Sequence, residues 1–335
     1  MRLGCAPGSP RPRRRRGLGE LSATLITGGR SNLTYRLTDG VTSWILRRPP
    51  LGHVLATAHD MGREYRVMSA LADTAVPVPR MIGFCHDTAV LGSEFYVMES
   101  VEGTQYRTAA ELEPLGAQRV RAISTALVDT LADLHEVEPA AVGLDDVGRA
   151  RGFLTRQVTR WRKQLDASYC RDLPAADELH AALAARAPEV DAAARPGIVH
   201  GDFRLDNVLV DNDDRLRAVL DWEMATLGDP VTDLALMLLY ARLAHLVGSE
   251  VVADASNAAG FLTESEIIAR YDARSDRDLS DLGFYLGLAA FKLAAILEGI
   301  HYRYLDGQTV GPGFDRIGEA IHPLLDAGLA AVTEP

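Results

Sequence analysis

The chain has 335 residues, of which 47% are hydrophobic and 24% are charged. This composition is typical of a soluble globular protein, and the length is enough for two linked domains. Asp and Glu number 46 against 35 Lys and Arg, which gives a formal net charge of −11. So acidic a chain does not suit a general binder of nucleic acid or of a membrane surface, and we expect neither partner.

The first 19 residues differ in kind from the rest of the chain. They are rich in Pro, Gly and Arg and show no apolar periodicity. This predicts a disordered basic tail over residues 1–19, without the apolar stretch that a secretory signal needs. No later run is expected to reach the roughly 18 apolar residues of a membrane span. The three cysteines (Cys5, Cys85 and Cys170) are widely spaced, which favours reduced thiols in a cytoplasmic protein.

Residues 20–103 are dominated by strand-like runs. Strands are predicted over residues 23–27, 33–38, 43–47, 81–85 and 95–101. Asp39-Gly40 is a strong two-residue hairpin signal between the second and third strands. One helix is predicted over residues 59–73, where apolar residues recur at helical spacing. Gly103 marks a linker, so residues 20–103 are expected to form a small domain with an antiparallel sheet and one helix.

Residues 104–335 are predicted to be mainly helical. Predicted helices cover residues 111–136, 153–165 and 177–194, and others begin near Val231, Glu264, Leu279 and Arg316. A short strand-rich insert at residues 198–221 interrupts them. The predicted fold class is therefore α+β: a bilobal protein with a small sheet lobe, a larger helical lobe and a ligand cleft between them.

The strand-rich insert carries the residues that point to chemistry. Residues 200–207 read His-Gly-Asp-Phe-Arg-Leu-Asp-Asn, and residues 219–223 read Val-Leu-Asp-Trp-Glu. Phosphoryl transfer requires a carboxylate that orients the attacking hydroxyl, and oxygen ligands that hold Mg²⁺ on the phosphates. Asp202, Asn207 and Asp221 are groups of these kinds.

This spacing resembles the catalytic loop and metal-binding segment of the protein kinase superfamily. The His-Gly-Asp opening is similar to the aminoglycoside phosphotransferase and choline kinase branch, as is Gly-Asp-Pro at residues 228–230 followed by Asp233. The resemblance implies a protein kinase-like fold and an ATP- and Mg²⁺-dependent phosphotransferase that acts on a hydroxyl of a small molecule.

The resemblance also implies roles for single residues of the insert. Asp202 matches the catalytic base, and Asn207 and Asp221 match the ligands of Mg²⁺. Arg204 stands where protein kinases carry a phosphate-contacting lysine, two residues after the base. A structural turn is the alternative explanation for such a cluster, and a degenerate kinase fold is the alternative to catalysis.

The glycine-rich segment at residues 28–32, Gly-Gly-Arg-Ser-Asn, lies between two predicted strands. It resembles the Gly-Gly-x-Ser-Asn loop of the same family, and free backbone N–H groups in such a loop cradle phosphate. The resemblance implies nucleotide contacts from Gly28, Gly29, Ser31 and Asn32. An ordinary hairpin turn is the alternative.

The other nucleotide-binding positions follow from the same resemblance. Arg47 matches the strand cation that pairs with the phosphates, which is lysine in protein kinases, and Arg48 is the alternative. This departure most resembles the subgroup related to the kinase-like domains found with acyl-CoA dehydrogenases. Glu64 matches the helix partner of the strand cation. The backbone of Glu99 and Val101 matches the hinge that hydrogen-bonds adenine.

Two charged segments leave the acceptor open. Residues 249–281 carry eight acidic residues against three arginines, which would suit a cationic acceptor such as an aminoglycoside. Residues 151–163 carry five cations and no acid, and Arg156, Arg160 and Lys163 can share one side of a helix. That side would suit an anionic acceptor such as the hydroxyacyl-CoA thioesters used by the acyl-CoA-dehydrogenase-associated relatives. Either segment can equally be a solvated surface.

A later predicted helix contains four residues that can face the acceptor or simply pack: Tyr285, Lys292, Glu298 and His301. Two other functions stay open beside a small-molecule kinase. One is a nucleotide-binding regulator without turnover. The other is a protein kinase, against which the His-Gly-Asp form and the lack of an Ala-Pro-Glu segment after Asp221 argue.

Overall fold

The computed structural model describes residues 20–26, 32–50, 60–168, 170–247, 252–308 and 314–333. These residues form two compact units. The first comprises the described residues up to Met61 together with Met81–Ser100, and the second comprises Gly62–Arg80 together with the described residues from Val101 onwards. The helix that the sequence places in the predicted domain over residues 20–103 is thus grouped almost entirely with the second unit.

The first unit is built on a five-stranded antiparallel sheet with the order β1-β2-β3-β5-β4. Its strands are β1 (Ser22–Ile26), β2 (Leu33–Thr38), β3 (Ser43–Arg48), β4 (Met81–Cys85) and β5 (Phe95–Glu99). The predicted strands are confirmed within about two residues, although the last one stops at Glu99. The Asp39-Gly40 turn is present, with Gly40 at a φ of 88°. The Asp39 carboxylate accepts hydrogen bonds from the N–H groups of Val41 and Thr42, which fixes that turn.

The second unit contains most of the helices. They are α1 (Met61–Leu71), α3 (Ala109–Leu112), α4 (Ala117–His135), α5 (Phe153–Asp166), α6 (Pro174–Ala193), α7 (Val231–Val247), α8 (Glu264–Asp272), α9 (Leu282–Leu305) and α10 (Ile321–Thr333), while α2 (Thr88–Leu91) belongs to the first unit. The second unit also contains two small antiparallel strand pairs: β6 (Gly197–Val199) with β9 (Thr226–Gly228), and β7 (Val208–Val210) with β8 (Leu216–Val219).

The predicted long helix over residues 111–136 is wrong as a single element. Helix α3 ends at Leu112, a 3₁₀ turn covers Glu113–Leu115, and α4 begins at Ala117. Pro114 lies inside that turn, and Gly116 has a φ of 77°. Proline lacks the N–H that would continue a helix, and a glycine at positive φ reverses the chain, so the two residues separate the helices.

Helix α9 forms part of the helical core and packs against α5, α7 and α10. By length and hydropathy it could span a membrane, so the expectation that no run is apolar enough for a span is wrong for this helix. The protein itself covers 72% of its most apolar window, as is usual for a core helix. Lys292 is the one Lys or Arg in the buried middle of this helix.

Candidate active site

The loop that contains the predicted catalytic residues is defined here as the catalytic loop, residues 200–207. It leaves strand β6, which pairs with β9. Gly201 has a φ of 87°, and a Cβ atom at this position would lie 2.7 Å from Cβ of Met224. Glycine is therefore required at this turn for both its backbone conformation and its small size.

The carboxylate of Asp233, on α7, anchors the start of the catalytic loop. It accepts hydrogen bonds from the backbone N–H of His200 at 2.6 Å and of Gly201 at 2.8 Å. Burial alone would raise the pKa of Asp233, but His135, His200 and these hydrogen bonds outweigh it and lower the pKa. Asp233 is therefore an ionised support of the loop, which explains why this acid follows the Gly-Asp-Pro segment.

Asp202 and Asn207 are joined directly. The Asn207 side-chain amide donates to the Asp202 backbone oxygen at 2.8 Å and to Asp202 Oδ2 at 3.0 Å. The Asn207 backbone oxygen in turn accepts from Leu220 N–H at 2.8 Å, which extends the β7–β8 pairing to the residue before Asp221. The structure therefore brings the three predicted catalytic and metal-binding residues to one end of this hairpin.

The backbone at Asp221 is unusual. Its φ is 65° and its ψ is 57°, a left-handed conformation that residues other than glycine seldom adopt. The buried His200 ring supports the residue before Asp221, because its Nε2 donates a hydrogen bond to the Leu220 oxygen at 3.0 Å. The same ring packs against Trp222 in a tilted arrangement, with 4.6 Å between the ring centroids. Backbone strain of this kind is concentrated at functional sites, where the surrounding packing maintains it.

The donor atoms at this end of the hairpin suit Mg²⁺. Asn207 offers an amide oxygen and Asp221 a carboxylate, the hard oxygen ligands that this ion prefers. Because the Asn207 nitrogen is committed to Asp202, its Oδ1 points elsewhere and, within the described residues, accepts no hydrogen bond. The described residues contain no cluster of three or more His, Cys, Asp or Glu side chains that could hold a metal ion.

Arg204 lies between two carboxylates and an aromatic ring. Its Nε is 3.3 Å from Asp202 Oδ1, its Nη2 is 3.0 Å from Asp206 Oδ2, and its guanidinium carbon is 4.5 Å from the centre of the Tyr240 ring. Burial opposes the charge on Arg204, but the two carboxylates raise its pKa above the usual value. Asp202 Oδ1 is buried and accepts no hydrogen bond in the described structure. Tyr240 belongs to no sequence motif, so the sequence alone did not indicate it.

The predicted nucleotide-binding residues are only partly described. Gly28, Gly29 and Ser31 lie outside the described residues, and Asn32 is buried immediately before β2. Glu64 is fully buried in the first turn of α1. Glu99 is the last residue of β5, and Val101 follows that strand. The nucleotide contacts implied for these residues stay predictions.

The two candidate strand cations, Arg47 and Arg48, point to opposite faces of β3 because side chains alternate along a strand. Arg48 is buried, and it donates to the backbone oxygens of Pro49 at 3.1 Å and Leu91 at 2.7 Å. These bonds give Arg48 a structural role within the sheet unit. Arg47 is therefore the better candidate of the two for a phosphate contact.

Several cations of the basic segment, residues 151–163, have partners within the protein. On α5, Arg156 donates to the backbone oxygens of Arg149 and Arg151, and Arg162 pairs with Asp166 and Asp177. Arg156, Arg160 and Lys163 do lie at helical spacing on α5. The Arg156 guanidinium is bonded to the loop that precedes the helix, and a contact of this side with the acceptor stays a prediction. Arg160 lies with its guanidinium carbon 5.0 Å from the centre of the Trp161 ring.

Of the four residues noted on the later helix, three have structural partners. Tyr285 donates to Asp229 at 2.6 Å, Glu298 pairs with Arg171 at 2.8 Å, and His301 lies against Gly318. Lys292 instead reaches the catalytic loop, where its Nζ donates to the Gly201 oxygen at 2.9 Å. Of the four residues, Lys292 is therefore the one with a contact to the catalytic loop in the described structure.

A family model described as the phosphotransferase enzyme family matches residues 22–271 of this sequence. The chain belongs to the phosphotransferase enzyme family. Acyl-CoA dehydrogenase family member 11 of Gallus gallus is 35% identical over 331 residues, which are 97% of this chain and 42% of that protein. The chain therefore spans about two fifths of the length of the first curated relatives that it matches.

Solved structures of this phosphotransferase family share the fold. A protein of Ralstonia eutropha assigned to the aminoglycoside phosphotransferases is 33% identical and has a TM-score of 0.81, over 94% of this chain and 93% of that one. An aminoglycoside phosphotransferase mutant in complex with AMP-PNP and hygromycin B is 14% identical, with a TM-score of 0.63 over 94% and 95% of the two chains, which shows the fold alone. The predicted family and the α+β, bilobal, kinase-like fold are confirmed.

Proposed function

We propose that this phosphotransferase transfers the γ-phosphate of ATP, with Mg²⁺, to a hydroxyl of a small molecule. One observation carries the proposal: the Asp202 carboxylate is held in place from two sides and still reaches the surface. Asn207 donates to Oδ2, the Arg204 guanidinium lies 3.3 Å from Oδ1, and the side chain stays 25% exposed. An acceptor hydroxyl that approaches the exposed part of this carboxylate would donate to it.

Asp202 acts as the base in this proposal. The acceptor hydroxyl donates to Asp202, its oxygen forms a bond to the γ-phosphorus, and the bond from that phosphorus to the β,γ-bridging oxygen breaks. The hydroxyl proton passes to Asp202, and ADP leaves. Positioning and charge stabilisation supply most of the catalysis in such reactions, so the fixed geometry of the loop matters more than unusual reactivity.

The remaining site residues hold the phosphates and the ion. Asn207 and Asp221 would hold Mg²⁺, which would neutralise negative charge that develops on the phosphates during transfer. Arg204, two residues from the base, would donate to the transferred phosphoryl group, and Arg47 with the loop of Gly28, Gly29, Ser31 and Asn32 would contact the other phosphates. The AMP-PNP complex of the structural relative supports ATP as the co-substrate. Glu64, Glu99 and Val101 keep the roles that the family resemblance implies.

We propose an anionic acceptor, with a hydroxyacyl-CoA thioester as the first candidate. The names of the curated relatives refer to acyl-CoA substrates. Helix α5 also brings cationic charge near the site, because Arg160 acts electrostatically on Lys292, which is bonded to the catalytic loop. The acidic residues of the 249–281 segment that would suit a cationic acceptor are largely paired with arginines or with backbone N–H groups.

The test is a screen of purified protein with ATP, Mg²⁺ and pools of metabolites and acyl-CoA thioesters, read as acceptors that gain the mass of one phosphoryl group. The Asp202→Asn variant should still bind ATP, while its turnover should fall by about 10²- to 10⁴-fold because the base is lost. Asp276→Asn is the matched control, since Asp276 is an exposed residue of the acidic segment.

ATP binding without phosphoryl transfer to any acceptor or to water would instead favour a non-catalytic regulator. Equal turnover by the wild type and Asp202→Asn would contradict the assignment of the base. Phosphorylation of cationic aminoglycosides in preference to acyl-CoA thioesters would contradict the proposed acceptor and leave the base intact.

A further inference from the structure

Lys292 is an exception in the use of cations by this chain. Only two of the 35 Lys and Arg residues are lysines, Lys163 and Lys292. Lys163 is exposed on α5, whereas Lys292 lies in the largely buried helix α9. Placing a charge there costs free energy unless it is compensated by partners, so a structural reason for this lysine is expected.

The partner of Lys292 is the peptide group that leads into Asp202. Lys292 Nζ donates to the Gly201 oxygen at 2.9 Å, and the N–H of the same peptide, from Asp202, donates to His200 Nδ1 at 3.2 Å. Both polar groups of the Gly201–Asp202 peptide are therefore held by side chains. Because Gly201 has no side chain that could restrict its backbone, such external bonds decide how this peptide is oriented.

The neighbouring backbone groups are held as well. Asp233 accepts from the N–H of Gly201, and the Asn207 amide donates to the oxygen of Asp202. Asp233 and Asn207 belong to the motifs that the sequence reveals. Lys292 completes the set from α9, 90 positions after Asp202 in the chain. Without it, the Gly201 oxygen would lose the bond that faces the helical core.

The surroundings of the ammonium group fit this role. The face of Trp161, on α5, lies with its ring centre 5.7 Å from Nζ, a distance at which an aromatic ring attracts a cation. Burial lowers the pKa of Lys292, the carboxylates of Asp202 and Asp233 raise it, and Arg160 lowers it. An ammonium has three donors on a compact group, so one can bind a carbonyl under an aromatic face where a planar guanidinium would need more room.

We propose that Lys292 is a positioning residue for phosphoryl transfer, which fixes the Gly201–Asp202 peptide so that the Asp202 carboxylate faces the acceptor hydroxyl. Because Trp161 covers the same ammonium, Lys292 also joins α5 to the catalytic loop. This inference rests on the proposed function. It adds a residue that lies outside the family motifs and acts through the backbone, not on the substrate.

The first experiment compares Lys292→Met, Lys292→Arg and the control Arg303→Met, which removes an exposed cation from the same helix. Lys292→Met should keep the KM for ATP within about threefold and lower kcat about ten- to a hundredfold, the size expected for a lost charge-assisted hydrogen bond. Lys292→Arg should recover part of kcat, and Arg303→Met should match the wild type. A kcat within twofold of wild type for Lys292→Met, or an equal loss in Arg303→Met, would overturn the proposal.

A second measurement does not depend on activity or on the stability of Lys292→Met. In a Lys163→Arg background, reductive ¹³C-methylation labels one lysine side chain, that of Lys292, besides the terminal amine. Its pKa by NMR should lie below the ordinary value of about 10.4 and fall further in Asp202→Asn, because one neighbouring carboxylate is removed. A pKa of Lys292 that is ordinary and does not change in Asp202→Asn would contradict the contact between Lys292 and the catalytic loop. If the wild type transfers phosphate to nothing, the proposed function fails while this measurement still tests the contact.

Discussion

Two regions of the second unit carry dense charge, and they use it differently. In the catalytic loop, one oxygen of Asp202 accepts a hydrogen bond from the Asn207 side-chain amide, and the other is buried without a hydrogen bond from the described residues. Asp233, on α7, accepts hydrogen bonds from the backbone N–H groups at the start of the loop. In the acidic segment, residues 249–281, three described acids pair with arginines of other helices, namely Glu264, Glu266 and Asp281, and two more accept hydrogen bonds from backbone N–H groups. The number of charged residues in a segment therefore does not indicate its function, whereas the groups that each charge contacts do.

The acidic segment also shows why a charge count misleads. Two of its arginines also bind carboxylates of α4: Arg270 binds Asp129 through two hydrogen bonds at 2.6 and 2.7 Å, and Arg274 binds Asp133 at 2.7 Å. Glu266 additionally caps α8, where it accepts from the N–H of Thr263. These contacts attach α8 to α4, so the segment that looked like an acceptor site is mainly a helix-to-helix junction.

The sharpest test of the comparison is Asp233→Asn, which removes the charge that anchors the catalytic loop. We expect the free energy of unfolding to fall by about 3 kcal/mol, because a buried charge that accepts two backbone hydrogen bonds is lost. Urea unfolding measures this. The exposed Asp276→Asn should change the free energy by less than about 0.5 kcal/mol, and equal effects of the two variants would remove the distinction between the regions.

The same variant predicts a difference in acid. The pKa of Asp233 is lowered in the folded protein, so its stabilising effect is present above the unfolded pKa of about 3.9 and is lost as pH falls through the folded value. The wild type should therefore lose more free energy of unfolding between neutral pH and acid than Asp233→Asn does. Parallel stability curves of the two proteins would show that Asp233 is not ionised in the fold.

A smaller effect is expected at Tyr240, whose ring faces Arg204. Tyr240→Leu should lower kcat/KM for ATP about tenfold, since a partly desolvated cation–π contact contributes about 1 to 2 kcal/mol. Tyr240→Phe keeps the ring and should lose clearly less. Steady-state kinetics with the acceptor at saturation compares them. If Phe and Leu are equally impaired, the ring is not what orients Arg204.

The smallest effect is expected in the acidic segment. Arg270→Gln should lower the free energy of unfolding by less than about 1 kcal/mol and leave kcat unchanged, because exposed ion pairs contribute little. Arg277→Gln, in the same segment, should cost more, since Arg277 is buried and donates to the His135 oxygen at 2.6 Å. Thermal unfolding at low and high salt distinguishes the two variants. A lower kcat for Arg270→Gln would instead indicate that the acidic segment takes part in binding the acceptor.

Much of the fold could be predicted because it depends on local patterns. The strands of the first unit follow from alternation and from the Asp39-Gly40 turn, and the predicted helix over residues 153–165 is found as Phe153–Asp166. The break between α3 and α4 was missed although Pro114 and Gly116 signal it, because the apolar periodicity continues across it. Arg47 and Arg48 could not be separated by sequence, since only the tertiary structure shows that Arg48 binds Leu91.

The sequence by itself determined the family motif: residues 202, 207 and 221 have side chains and spacings that phosphoryl transfer requires, and local chain geometry keeps them near one hairpin. The tertiary structure decided which charges serve that motif. Lys292 and Tyr240 contact the catalytic loop from helices that lie later in the chain. The Arg156 guanidinium instead donates a hydrogen bond to the segment that precedes its own helix, α5. Spacing along the chain encodes contacts within an element, whereas a hydrogen bond between distant elements depends on how the helices pack, which no local pattern records.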